Sequence, residues 1–135
     1  MRALITSVFL FFSLTLYAQT TNEVVVLEYV EILNGHEEEA MFYYENNWKR
    51  LRDIAIRRGV ISDYKILVDR SDTSHVQLRL LTEFPGPYAF EKGEERFGQI
   101  IEEVGSDGPI LLNDITPDQF RKNVKTEVLE GIFQE

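Results

Sequence analysis

VVVLEYVEILNGHEEEAMFYYENNWKRLRDIAIRRG, residues 24–59, is the stretch whose reading decides the fold. Residues 24–33 are β-branched and apolar apart from Glu28 and Glu31, which predicts a strand. Val24, Val26, Val30 and Ile32 form one alternate set, and Val25, Leu27, Tyr29 and Leu33 form the other. Both sets are apolar, so the strand calls for cover on both faces. Asn34-Gly35-His36-Glu37 then opens a helix over about residues 36–58, with Asn34 as the expected cap and Glu37 in the capping-box position. Glu37, Glu38 and Glu39 suit the positive end of its dipole. Met41, Tyr44, Trp48, Leu51 and Ala55 recur at helical spacing and give one apolar stripe. Arg57, Arg58 and Gly59 close it.

Outward from this unit the pattern stays simple. A second strand is expected at about 60–68, with Tyr64, Ile66 and Val68 on one face. The polar segment 69–74 makes a hairpin connection to a third strand at 75–84, where Val76, Leu78 and Leu80 alternate with His75, Gln77 and Arg79. Pro85-Gly86-Pro87 breaks that strand and starts another helix. Its inner stripe reads Phe90, Phe97, Ile100, Ile101 and Val104, and Gly105 ends it. Residues 106–115 connect to a short helix at Thr116-Pro117-Asp118-Gln119, and residues 124–133 read as a last strand. The order β-α-β-β-α-(α)-β is the ferredoxin-like arrangement of an α+β fold: one antiparallel sheet with helices on one face. The uncovered face predicts a homodimer.

The 135 residues suffice for one domain with a real core, since 44% are hydrophobic. A formal charge of −9 argues against nucleic-acid and anionic-membrane partners, which demand positive charge. The absence of cysteine excludes disulfides, thiolate nucleophiles and Cys-ligated metals. Arg2 precedes an apolar run at 4–16, and Leu16-Tyr17-Ala18 precedes Gln19, which together read as a secretory signal peptide cut after Ala18. The expected domains are therefore a leader at 1–18 and a single domain at 19–135. Loss of Arg2 moves the charge from −9 to −10. The mature chain is expected in the periplasm or outside the cell, with no membrane attachment after cleavage.

With these elements placed, the chain resembles the dimeric α+β barrel superfamily, which includes antibiotic-biosynthesis monooxygenase-like proteins, and in particular exported Bacteroidetes-type members. The resemblance rests on Asn34-Gly35-His36-Glu37-Glu38-Glu39, Glu45-Asn46-Asn47-Trp48-Lys49, Arg57-Arg58-Gly59-Val60-Ile61 and Thr82-Glu83-Phe84, and covers about residues 23–104. It implies a dimeric barrel. Relatives often carry a histidine one turn after the helix tryptophan and a tryptophan in strand two; here those places hold Arg52 and Tyr64. The superfamily hosts many reactions, so the resemblance does not fix one.

The candidate ligand cleft lies between sheet and helices. Tyr29, Trp48 and Tyr64 are aromatic candidates, with core packing as the alternative. Asp63 and Arg79 sit in neighbouring strands and are expected to meet on one sheet face, as an anion site or as a plain salt bridge. Asn47 adds an amide, and His75 projects toward the cleft or is merely structural. His36 reads as a surface residue. With no His-x-His or Glu-x-x-His pair, no metal site is expected, and no cofactor is assigned. The leading expectation is a small-molecule-binding protein. A cofactor-independent monooxygenase or isomerase acting on an aromatic or polyketide-like compound is the alternative, and a non-enzymatic assembly module is the third.

Overall fold

A computed structural model describes residues 22–72, 74–105 and 107–131. The expected leader at 1–18 and the last residues of the expected final strand, 132 and 133, lie outside them. Four strands, β1 (Val24–Ile32), β2 (Asp63–Asp69), β3 (Gln77–Phe84) and β4 (Arg121–Glu130), form one antiparallel sheet in the order β2-β3-β1-β4. The fold is α+β. Side chains alternate along a strand, and in β1 and β3 the even-numbered ones turn toward the helices. Val30, Ile32, Leu78 and Leu80 form a core cluster with Tyr44 and Trp48. Val24 and Phe84 form a second with Ala55, Val60, Ile61 and Ile100. No described element covers the odd-numbered face.

The expected helix at 36–58 is present, but its interior departs from regular α geometry. It runs as α1 (Glu37–Tyr43), a π-helical segment (Tyr44–Lys49) and α2 (Arg50–Arg57). A π segment alters the bonding of the preceding carbonyls, and two asparagines answer this. The Asn46 side-chain amide donates to Phe42 O (2.8 Å), and that of Asn47 donates to Tyr43 O (3.0 Å). Asn34 does not cap the helix. With φ of 56° it forms a left-handed turn with Gly35, and its amide donates instead to Gln119 O at 2.9 Å. Glu37 pairs with Arg70 rather than closing a capping box.

The remaining differences are at element ends. β2 starts at Asp63, because Val60 and Ile61 leave the strand path and are buried in the second core cluster. β3 starts at Gln77, so His75 precedes the sheet. The second helix divides into α3 (Pro87–Glu91) and α4 (Gly93–Val104), with Ile101 48% exposed rather than on the inner stripe. α5 (Pro117–Phe120) is capped as expected, its Thr116 N–H donating to Gln119 Oε1 at 2.9 Å. β4 begins directly after it, three residues earlier than expected, with a register shift opposite Tyr29/Val30. Leu78, fully buried in the central sheet, is expected to lose about 2–5 kcal/mol on change to Ala. Val128→Ala, at a 52% exposed site, should cost well under half of that. Urea midpoints of the two variants measure the contrast, and equal losses would contradict this core.

Candidate functional site

The sequence-predicted residues do not converge. Trp48 and Tyr64 meet beneath the helix, with ring centroids 5.6 Å apart and edge-to-face. Tyr29 and Arg79 meet on the opposite sheet face, where the guanidinium lies 4.5 Å from the ring centroid. The period-two alternation separates these pairs: odd-numbered strand residues cannot reach a cleft lined by even-numbered ones. Tyr29 Oη donates to Glu127 Oε2 at 2.8 Å. Asp63 shares the face of Arg79 but does not meet it. The hairpin register sets Asp63 opposite Glu83 and Arg79 opposite Leu67, and the partner of Arg79 is Asp69 (3.0 Å).

Asn47 and His75 also stand elsewhere. The Asn47 amide both donates to Ile110 O and accepts from Ile110 N–H, each at 2.7 Å, clamping Ile110 onto the helix. It borders a hollow of about 270 Å³ together with Tyr43, Arg50, Ile101 and Ile110. His75 is exposed, and its Nδ1 contacts Ser74 Oγ at 2.8 Å. Among the described residues no cluster of three His, Asp or Glu side chains is placed to hold a metal ion. Likewise, no described helix is long and apolar enough to cross a membrane.

Sheet and helices nonetheless enclose a space. A cavity of about 380 Å³ opens there, walled by Val26, Phe84, Phe90 and Phe97. Its inner polar groups are Glu28, Arg52 and Thr82, none of which belongs to the sequence-predicted set. Glu28 and Thr82 come from the central strands β1 and β3; Arg52 comes from α2, one turn after Trp48. Gly93, at the α4 start, lets the Phe84 ring approach: a Cβ there would lie 2.7 Å from Phe84 Cε1. Glu91 and Glu94 are exposed at the mouth.

Arg52 is unusual chemically. Its guanidinium carbon lies 3.9 Å from the Trp48 ring centroid and 5.0 Å from that of Phe97, two cation–π contacts. Burial pulls its pKa down to about 10, with Glu28 opposing the shift, so it remains a cation at neutral pH. Among the described residues it joins no ion pair, and its Nε–H is buried with no hydrogen-bond partner. The same is true of Thr82 Oγ1, on a residue 3% exposed. Buried donors without acceptors are costly and rare. Both residues line the cavity, but these two atoms lie behind its surface, out of reach of solvent.

Tyr64 anchors the neighbouring wall. Its phenol donates to Asp53 Oδ1 at 2.5 Å, and Asp53 also accepts from Lys49 Nζ at 3.2 Å. Burial, then the Asp53 hydrogen bond, pushes the phenol up from 10.0 to about 12. That bond in turn holds the Asp53 carboxyl below its ordinary 3.8. No family model matches the chain, and no curated protein matches it.

The raised Tyr64 pKa means that the unfolded chain loses this proton first as pH rises. Its stabilisation is thus complete below pH 10 and disappears as pH climbs toward about 12. Asp53 contributes above its unfolded value of 3.8 and is lost as pH falls through its lower folded value. Urea midpoints of wild type should therefore fall more steeply than those of Tyr64→Phe above pH 10. Parallel alkaline profiles would show that the phenol titrates alike in both states.

Proposed function

We propose that this is an exported small-molecule-binding protein of the dimeric α+β barrel type, holding its ligand between sheet and helices. The observation that carries the reading is the cavity of about 380 Å³ with apolar walls and the polar residues Glu28, Arg52 and Thr82 in its lining. Protein interiors are ordinarily close-packed and satisfied, whereas ligand sites combine apolar walls with a few free polar groups in volumes of this order. The antiparallel order β2-β3-β1-β4 supports a ferredoxin-like topology. Leu67 and Leu129, 51% and 48% exposed on the odd-numbered face, support burial against a second copy across a two-fold axis. Arg2 followed by the apolar run at 4–16 supports export to the periplasm or beyond.

Native mass spectrometry of protein drawn from the periplasm should reveal a retained small molecule that is released on unfolding. Val26→Phe, which places a ring in the cavity, should abolish retention while leaving the circular dichroism spectrum intact. Bare polypeptide mass from wild type, together with no response to added apolar ligands, would leave the domain as an assembly module. Light scattering at micromolar concentration should give a dimer that Leu67→Asp splits, and a monomeric wild type would overturn the barrel.

A further inference from the structure

The hollow of about 270 Å³ lies between the π-helical segment, α2, α4 and the connection that follows α4. Leu51, Ile101, Val104, Pro109 and Ile110 give it apolar walls. Ile101 and Ile110 remain 48% and 45% exposed there, although burial would favour both. Ile110 is held back from collapsing over the hollow, because Asn47 bonds both its backbone groups at 2.7 Å and is itself tied to Tyr43 O at 3.0 Å. Asn46 and Asn47 come from the π-helical segment, and such turns inside α-helices recur at functional sites. Arg50 is the single charged residue in the lining, in a chain with 23 acidic and 14 basic side chains. Among the described residues it joins no ion pair. Asp53, one helical turn on, is engaged by Lys49 (3.2 Å) and Tyr64 (2.5 Å), and Glu103 on α4 by Arg58 at 2.5 Å. Glu102 and Asp107 are exposed and lie outside the lining.

We propose that this hollow is a ligand site of its own, taking a small apolar monocarboxylate whose body lies among Leu51, Ile101, Val104 and Ile110 and whose carboxylate pairs with Arg50. The site is separate from the larger cavity and does not depend on what that cavity holds. Its volume, just under the roughly 300 Å³ at which sites for drug-sized molecules begin, suits a body of one or two rings. The guanidinium fork matches the two oxygens of a carboxylate. Because Arg50 is exposed, the pair is worth at most about fivefold in affinity. Apolar burial therefore supplies most of the binding, and Arg50 supplies the selection for an anion.

Methyl-resolved NMR titration with three matched probes tests this: 2-naphthoate, 2-naphthamide and 2-naphthylmethylamine. The methyl groups of Leu51, Ile101, Val104 and Ile110 report on the hollow, and those of Val26 report on the larger cavity. The acid should shift the first group and bind about three- to fivefold more tightly than the amide, with the amine weakest. That preference should shrink at about 1 M NaCl, which screens an exposed charge. Arg50→Gln should equalise acid and amide, and Arg50→Lys should keep part of the preference. Ile110→Glu, which sets a carboxylate on the rim and keeps the backbone bonds to Asn47, should abolish acid binding and retain the amine. Val26→Phe should change none of the shifts at the hollow. Equal affinity for acid and amide in wild type, or a preference that survives Arg50→Gln, would overturn the selection by Arg50. Shifts confined to Val26 would overturn the hollow as a site and support the larger cavity as the place of the ligand. Unshifted methyl groups at both places would overturn the hollow as well.

Discussion

Val24, Val30 and Ile32 of β1 and Leu78, Leu80 and Phe84 of β3 press every second side chain of the two central strands against the helices. This period-two burial organises the rest of the molecule. It fixes which face the helices cover and makes the strand register costly to shift, because a one-residue slip would expose the whole apolar set. It also leaves the odd-numbered face with Tyr29, Arg79, Lys125 and Glu127 joined through ring and charge contacts. Finally, it makes any polar residue in the even-numbered set conspicuous, since that residue is delivered into the interior.

The last consequence explains why the architecture was legible in the sequence while the site was not. Strand alternation, Gly59 and the Pro85-Gly86-Pro87 break mark elements through local physics, and most bounds shift by only two or three residues in the structure. Residue chemistry alone points instead to Tyr29, Asp63, His75 and Arg79. Tyr29, Asp63 and Arg79 failed on parity, and His75 lies before its strand. A usable signal was present: Glu28 interrupts Val24, Val26, Val30 and Ile32, and Thr82 interrupts Leu78, Leu80 and Phe84. Arg52, one turn beyond Trp48, borders the helical apolar stripe in the same way. Three polar interruptions on three apolar faces mark the cavity more securely than residue type alone. The Asp69–Arg79 pairing was not readable for a separate reason, because it depends on the register in which β2 and β3 pair.

The π-helical segment is the other feature that periodicity conceals. A stripe spaced by three and four residues reads as regular helix, and Tyr44 and Trp48 are indeed both buried. The asparagines that serve its carbonyls are visible in the sequence, but their bonds are not. Asn47 performs two tasks with one amide, bonding the helix carbonyl behind it and both backbone groups of Ile110. Its three bonds use both amide hydrogens and the oxygen, so it has no free donor to contribute to a ligand. The same economy is absent at Arg52.

That contrast gives the buried cation its significance. Removing a guanidinium from water is unfavourable, and a purely structural role would ordinarily be met by a carboxylate partner. Here the opposing terms are two aromatic faces and the more distant Glu28. Cation–π contact stabilises the charge without a hydrogen-bond acceptor or a counter-ion. The arrangement therefore holds Arg52 in the cavity wall, with Nε itself shielded from solvent. A hydrophobic residue of similar volume would fill the same place without the cost of desolvation. What the arginine adds is a positive charge in the wall of an otherwise largely apolar recess, without an ion-pair partner among the described residues.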